Sequence, residues 1–181
     1  MNQFKIEYLE EFNKIKHSYE YWLDDRNKLV EKYSWAIPNL EALQTLRRYS
    51  PILEIGAGKG YWAYLMRKTE TLVQAFDLKS SDEVKGSWSM VFKINDNMFN
   101  HTQGHALFLC WPPYNKPMAY DAITKFNGEH VIYIGEGFEG CTADNKFHDY
   151  LFDNFVQVDA VKIPQWWGIH DDMTVWERLE E

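Results

Sequence analysis

The sequence predicts an α/β fold, a three-layer sandwich with a mostly parallel, seven-stranded sheet, a last antiparallel strand and additional N-terminal helices. Two observations predict it. Short apolar segments alternate along the chain with segments of helical periodicity, as in parallel sheets that carry helices on both faces. The last two apolar segments are joined by about nine residues without a helical pattern, too few for a crossover between parallel strands, so the final strand should be antiparallel.

The N-terminal region, residues 1–48, is predicted to be helical. Residues 8–33 combine charged side chains with interspersed aromatic ones, which indicates one or two amphipathic helices. Pro38 ends this pattern because proline disfavours helical backbone in the residue before it. Asn39 can then cap a helix that runs through Leu46 towards the first strand.

Residues 49–181 are predicted to form the core, and together with residues 1–48 they should make a single domain. The strands are expected at residues 52–55, 72–76, 90–94, 106–110, 131–134, 156–163 and 173–179, and the helices between them at residues 61–68, 118–126 and 144–155. A chain of 181 residues, 45% of them hydrophobic, can bury a full core in one such domain.

The composition restricts the partners. The net charge is −8, and a chain this acidic lacks the positive field that attracts polyanions, so broad nucleic-acid binding is not expected. No apolar segment is long enough to span a bilayer, and no signal peptide is evident, so no membrane partner is expected. Cys110 and Cys141 make no disulfide framework, which fits a reducing, cytoplasmic compartment. No metal site is predicted, and the sequence leaves the oligomeric state open.

A glycine-rich turn carries the main functional signal. An apolar strand ends at Ile55, three glycines follow at alternate positions (Gly56, Gly58 and Gly60), and a helix begins at once. Strand, glycine turn and helix bring the backbone close to a nucleotide-like ligand, because a Cβ would block both the turn and the approach. Asp77 ends the next strand, where an acidic side chain can accept hydrogen bonds from both hydroxyls of a ribose.

The spacing of the glycines distinguishes three types of nucleotide loop. The dinucleotide pattern Gly-x-Gly-x-x-Gly fails because Tyr61 occupies its last position. A P-loop fails because Leu53 and Gly60 replace its first glycine and its Ser/Thr. The remaining pattern is Glu-x-Gly-x-Gly-x-Gly from Glu54 onward, which resembles the first motif of the class I S-adenosylmethionine-dependent methyltransferases. A glycine turn in an unrelated α/β domain is the alternative.

This resemblance implies a cofactor and a role for each matching residue. The cofactor would be S-adenosylmethionine: Glu54 would help to hold its methionine end, the glycine turn would pass its ribose and thioether, and Asp77 would bind its ribose hydroxyls. In that family an acidic residue after the third strand often meets the adenine amino group; Asp96 is the candidate here, with an ordinary turn residue as the alternative. The expected cofactor contacts are Glu54, Gly56, Gly58, Gly60, Asp77, Asp96 and, at the end of the fourth strand, Cys110.

The fourth strand leads into Cys110-Trp-Pro-Pro-Tyr114, which resembles the Asp/Asn/Ser-Pro-Pro-Tyr/Phe motif of amino-methyltransferases acting on adenine, cytosine or glutamine. In that family the first residue accepts a hydrogen bond from the target amine, and the aromatic ring stacks on the substrate. Trp111 stands at the accepting position, and an indole has only an N–H donor. Nucleobase methylation is therefore not expected, but Trp111 and Tyr114 can still face the cofactor's methyl group; a rigid turn with buried aromatics is the alternative.

The loops after the fifth and sixth strands supply the other predicted acceptor residues. Glu136 lies at a strand tip, where it can bind substrate or act as a general base. Trp166 and Trp167 suggest an aromatic wall, with core packing as the alternative. His170 beside Asp171 is a candidate base with an orienting partner, or a structural histidine. Catalysis is assigned to Tyr114, Glu136 and His170, which should converge at one edge of the sheet, and substrate binding to Trp111, Trp166 and Trp167.

Several of these segments together resemble a narrower family of small methyltransferase-like proteins without an assigned substrate. They are residues 33–38, 54–62, 110–114, 135–144 and 168–171. The sequence thus predicts an S-adenosylmethionine-dependent methyltransferase that acts on an unidentified small-molecule acceptor, planar or apolar. Two alternatives stay open: a protein that binds S-adenosylmethionine without catalysis, and an amino-methyltransferase that acts on nucleic acid or protein.

Overall fold

The computed structural model describes residues 4–16, 22–95, 97–100 and 102–180. In these residues the helices are α1 (Glu7–Ile15), α2 (Trp22–Lys32), α3 (Leu40–Arg48), α4 (Tyr61–Lys68), α5 (Met118–Lys125) and α6 (Asn145–Asn154). The strands are β1 (Ile52–Ile55), β2 (Val73–Asp77), β3 (Phe92–Lys93), β4 (Ala106–Cys110), β5 (His130–Gly135), β6 (Phe155–Val161) and β7 (Asp172–Arg178). None of the described helices is long and apolar enough to cross a membrane.

The strands form one sheet in the order β3-β2-β1-β4-β5-β7-β6. The first five strands pair in parallel, whereas β7 runs antiparallel to both of its neighbours, β5 and β6. The predicted mostly parallel sheet with an antiparallel last strand is therefore confirmed.

Alternating side chains of the strands pack into two cores, one on each face of the sheet. In β1, Ile52 joins the core beneath α1 to α4, while Leu53 and Ile55 join the core beneath α5 and α6. Because successive side chains of a strand point to opposite faces, Glu54 lies on the same face as Ile52. The three predicted layers are present.

The helix cap predicted at Asn39 is confirmed, and a second cap is found at Asp144. The side chain of Asn39 accepts a hydrogen bond from the backbone N–H of Ala42 at 2.8 Å, and α3 begins at the next residue. Asp144 caps α6 in the same way through the N–H of Phe147 at 3.0 Å.

The third strand is shorter than the five residues predicted at 90–94. β3 spans Phe92–Lys93 only, and these residues pair with Phe76 and Asp77 at the edge of the sheet. The side chains of β3 and of Met90 are exposed, so no core packing stabilises a longer strand. At the N-terminus, two helices form where one or two were predicted, and residues 17–21 between them lie outside the described part.

The strand order reverses beside β1, and a crevice lies at this point of the sheet. From β1 the chain moves outward to β2 and β3, then crosses back to β4 on the other side of β1. The loops that leave β1 and β4 therefore diverge at the carboxyl edge of the sheet, where ligands bind in open α/β folds.

Candidate cofactor and acceptor site

A cleft of about 650 Å³ opens at this crevice. Its volume is within the range of roughly 300–1,000 Å³ typical of small-molecule sites. Its walls come from the ends of β1 and β2, the segment after β3, the loop after β4 and one face of α5. The lining residues are Ile55, Gly56, Asp77, Leu78, Ile94, Met98, Phe99, Trp111, Pro113, Lys116, Pro117, Met118, Asp121, Ala122 and Lys125.

The glycine turn and Asp77 meet at the floor of the cleft. The backbone N–H of Gly58 donates to Oδ2 of Asp77 at 2.8 Å, so one carboxylate oxygen holds the turn. The N–H groups of Gly56 and Ala57 donate to the carbonyl of Phe76 at 2.9 and 3.1 Å. These bonds attach the turn to the end of β2, and the half-buried Asp77 carboxylate remains part of the cleft lining.

The three glycines have left-handed backbone conformations but different surroundings. Gly56 has φ +80°, and a Cβ there would lie 2.8 Å from Cε of Met118 across the cleft. A Cβ on Gly60 would lie 2.8 Å from Cγ2 of Val91 and 3.2 Å from a backbone oxygen. Gly58, with φ +57°, has no atom within 4 Å of such a Cβ among the described residues. Gly60 is thus needed for packing, whereas Gly58 leaves space on the open side of the turn.

Glu54 is buried beneath the turn, on the face covered by α4. The side chain is 2% exposed, and its Oε2 has no hydrogen-bond partner within the described chain. Burial raises the pKa of this carboxyl to about 8, although the charge of Arg67 opposes the shift. Cys110, at the end of β4, packs against the same core. Burial, followed by the charges of Glu54 and Asp171, raises its thiol pKa well above the ordinary value, so the thiol is neutral.

Trp111 forms a wall of the cleft and is held on two sides. Its ring stacks on Trp35 with centroids 4.8 Å apart and planes 11° apart. Its Nε1–H donates to Oδ2 of Asp171 at 2.7 Å. The only donor of this indole is therefore used within the protein, and the indole offers a substrate its ring surface alone.

The three residues predicted for catalysis lie on neighbouring loops, and two of them touch. Glu136 Oε1 accepts the backbone N–H of His170 at 3.0 Å and lies 3.7 Å from Nδ1 of that histidine, while Oε2 accepts the N–H of Cys141 at 2.8 Å. Burial alone would raise the pKa of Glu136, but the hydrogen bond with the Cys141 side chain and the two backbone hydrogen bonds outweigh it and lower the pKa. The carboxylate thereby joins the loops after β5 and β6.

Tyr114 lies on the adjacent loop with an exposed side chain. Within the described residues it makes no hydrogen bond or ring contact with Glu136 or His170. Its loop is bound to the β5 loop through backbone hydrogen bonds, from the N–H of Asn115 to Ala143 and from the N–H of Ala143 to Pro112, each at 2.8–2.9 Å.

The two predicted wall tryptophans have different environments. Trp166 is buried: its ring meets that of Phe12 edge-on at 5.0 Å, and its Nε1–H donates to the hydroxyl of Tyr8 at 3.2 Å. Trp166 therefore packs the loop after β6 against α1, which agrees with the alternative prediction that it is a core residue. Trp167 is 73% exposed and can face an acceptor.

Helix α2 is attached to the glycine turn through Lys59 and to the segment before β3 through Trp88. Nζ of Lys59 donates to the carbonyl of Glu31 at 2.6 Å, and Nε1 of Trp88 donates to the carbonyl of Lys32 at 2.7 Å. Both carbonyls belong to the last turn of α2, where carbonyl groups lack helical partners and attract cations.

One predicted site residue, Asp96, lies outside the described residues. Most of the other cleft residues were not predicted, among them Leu78, which follows Asp77, and Met98 and Met118, which contribute apolar walls. Leu78 could have been found as the first residue after a strand tip. The methionines carry no such signal, because their role depends on which segments the fold places opposite the turn.

Solved structures, two of them of methyltransferases, share this fold over most of the chain. Magnesium protoporphyrin IX methyltransferase from Synechocystis PCC 6803, solved with S-adenosylmethionine, has a TM-score of 0.54 at 10% identity, covering 99% of this chain and 100% of that one. The N-methyltransferase NodS from Bradyrhizobium japonicum WM9, in complex with S-adenosyl-L-homocysteine, gives 0.51 at 10% identity, with 96% and 99% covered. A mutant of MtNAS in complex with S-adenosylmethionine gives 0.53 at 14% identity, with 96% and 72% covered.

No protein-family model matches the sequence, and a search of curated proteins finds no match. At identities of 10–14%, the structural likeness shows the fold: the chain has the fold of the class I S-adenosylmethionine-dependent methyltransferases.

Proposed function

We propose that this protein is an S-adenosylmethionine-dependent methyltransferase whose cofactor occupies the cleft between the glycine turn and α5. The observation that carries the proposal is the junction of Gly58 and Asp77 at the floor of a mostly apolar cleft of about 650 Å³. A ribose bound there would meet a carboxylate already oriented by the turn.

The cleft fits the parts of this cofactor. Asp77 would accept the ribose hydroxyls, while the apolar side chains of Leu78, Ile94 and Phe99 would contact the purine. Gly58 leaves open space beside the turn for the ribose and thioether. Asp96 remains the proposed partner of the adenine amino group.

Glu54 is proposed to hold the methionine end. Its buried Oε2 lacks a partner within the described chain, and a buried carboxyl oxygen left unpaired is unfavourable. An ammonium group next to Glu54 would supply both a hydrogen bond and a positive charge. Cys110, with its neutral thiol, would add an uncharged contact from the end of β4.

Bound S-adenosylmethionine would supply an electrophilic methyl group on a positively charged sulfur. Transfer to a nucleophile is a direct displacement, so alignment of the acceptor provides much of the catalysis. Trp111 and the exposed Trp167 are proposed as ring surfaces for a planar or apolar small molecule. Trp166 would support that wall from the core.

The proposed roles of the catalytic trio follow from their contacts. Glu136, ionised and bound by two backbone N–H groups, would fix the relative position of the loops after β5 and β6. The side chains of Tyr114 and His170 are exposed and would contact the acceptor. Such contacts, made in the transition state, would raise the rate without strengthening cofactor binding.

Transfer of labelled methyl groups tests this function. The protein is incubated with methyl-tritiated S-adenosylmethionine and fractionated small-molecule extract, nucleic acid or protein, with Asp77→Asn as the matched control. We expect label in the small-molecule fraction with the unchanged protein only. Label in nucleic acid or protein would contradict the acceptor class, and tight cofactor binding without label in any fraction would favour a binding protein without catalysis.

A further inference from the structure

Asp171 is a buried acid with an unusual set of contacts. It lies in the loop that enters β7 and is 3% exposed. Its Oδ2 accepts the indole N–H of Trp111 at 2.7 Å, whereas its Oδ1 is buried without a partner in the part of the chain that the structure describes. The side-chain amide of Gln165 donates to its backbone carbonyl at 2.8 Å and fixes the loop around it.

Trp111 depends on this contact for its position. Its backbone has φ +53°, a conformation that is unfavourable for a bulky residue and persists only where the surroundings hold it. On one face the ring stacks on Trp35, over which the guanidinium of Arg26 lies at 5.8 Å. Asp171 thus begins a continuous series of contacts through the cleft wall to the N-terminal helices.

We propose that Asp171 is a positioning residue: its carboxylate fixes the Trp111 indole as a wall of the cleft, and loss of its negative charge loosens that wall. The effect on the cleft rests on the proposed function, whereas the contact between Asp171 and Trp111 does not. His170, its neighbour in sequence, turns outward towards Glu136, so the buried acid is the member of this pair that acts on the cleft.

The surroundings of Asp171 make its charge adjustable. Burial raises its pKa to about 6; the Trp111 hydrogen bond opposes this shift, and the nearby carboxylates Glu136 and Asp172 add to it. Tyr8, Cys110 and Cys141 also lie within its electrostatic reach, and none of them supplies a positive charge. A charge-assisted hydrogen bond is about twice as strong as a neutral one, so protonation of Asp171 weakens its hold on Trp111.

The indole N–H resonance of Trp111 provides the test, measured by 15N–1H correlation spectra of the full chain without cofactor from pH 5 to 8. Trp111→Phe identifies the resonance. We expect it to move with a midpoint near the pKa of about 6. In Asp171→Asn, whose amide oxygen still accepts the N–H, the resonance should be independent of pH. In Asp172→Asn, which removes the charge of the adjacent residue that pairs with Lys162, it should still titrate.

A resonance that does not move in the unchanged protein, or that still titrates in Asp171→Asn, overturns the proposal.

The second measurement is the affinity for S-adenosyl-L-homocysteine at pH 7.5 and 5.5. The proposed contact of Glu54 with the cofactor ammonium makes binding weaker at the lower pH in the unchanged protein and in Asp171→Asn alike. We expect the affinity to fall about fivefold more in the unchanged protein than in Asp171→Asn, the change from a charged to a neutral hydrogen bond. An equal fall of the affinity in both proteins while the resonance titrates would show that Trp111 does not act on the cleft and would overturn the positioning role. Absence of binding at either pH would instead overturn the proposed function and leave the resonance to decide the contact.

Discussion

The buried carboxyl of Glu54 should make the stability of the protein depend on pH in an unusual direction. Its pKa rises from 4.5 to about 8 on folding because burial disfavours the charged form. Below about pH 4.5 Glu54 is neutral in both the folded and the unfolded state, and the stability that it contributes to the fold is fully present. As the pH rises to about 8, the unfolded chain ionises while the folded one does not, so folding is progressively disfavoured.

The magnitude follows from these two values. At about 1.4 kcal/mol per pKa unit, the shift corresponds to about 5 kcal/mol in total, of which about 4 kcal/mol is lost between pH 5 and pH 9. Glu54→Gln removes the titration, and any constant penalty of the new amide cancels when the two proteins are compared across pH. Glu70→Gln is the control because that side chain is 81% exposed.

The assay is urea unfolding of the three proteins at pH 5, 7 and 9. Between pH 5 and pH 9, the free energy of unfolding of the unchanged protein should fall by about 4 kcal/mol relative to that of Glu54→Gln. Relative to that of Glu70→Gln, it should not change with pH. A difference between the unchanged protein and Glu54→Gln that is constant with pH would refute the reasoning, since it would mean that Glu54 ionises as readily in the fold as in the unfolded chain.

The Glu54 carboxyl should also couple cofactor binding to the release of a proton. If the ammonium of S-adenosylmethionine lies beside Glu54, its positive charge lowers the pKa of Glu54, and binding at pH 7 releases about one proton. Calorimetry in buffers of different ionisation enthalpy measures this release. Glu54→Gln should bind without it.

Three further outcomes are expected. Asp77→Asn should weaken binding of S-adenosyl-L-homocysteine by about 1.5–3 kcal/mol in calorimetric titration, because the ribose loses a charged acceptor; unchanged affinity would remove Asp77 from the site. Gly58→Ala and Gly60→Ala should each destabilise the fold by about 1 kcal/mol, because alanine disfavours the left-handed backbone at both positions. Gly60→Ala should lower the free energy of urea unfolding more, and Gly58→Ala should weaken cofactor binding more. The reverse order would contradict the surroundings assigned to the two glycines. Glu136→Gln should lower the free energy of unfolding by about 1–3 kcal/mol, because an amide N–H₂ replaces an oxygen that accepts a backbone N–H, and should impair turnover; full activity would exclude Glu136 from the acceptor site.

The sequence predicts those parts of the fold that depend on local pattern. The glycine turn is recognisable because alternate glycines after an apolar strand have few other structural uses, and the antiparallel β7 follows from a connection too short for a crossover. β3 was predicted too long because Met90 and Phe92 are apolar, yet both remain exposed at the edge of the sheet.

The candidate site is predictable only where its residues follow strand tips. Asp77 and Trp111 were found in this way, and both line the cleft. The burial of Trp166 depends on α1, which contributes Tyr8 and Phe12 to its surroundings from the far end of the chain. The contact of Trp35 with Trp111 is likewise tertiary, and periodicity carries no information about it.

Calorimetric titration of the protein with S-adenosylmethionine, S-adenosyl-L-homocysteine and NAD tests the central claim most directly. The glycine spacing and the Gly58–Asp77 junction predict that the first two ligands bind at a single site and compete with each other, and that NAD does not bind. Binding of NAD in preference to S-adenosylmethionine, or no binding of either sulfur-containing ligand, would contradict the account.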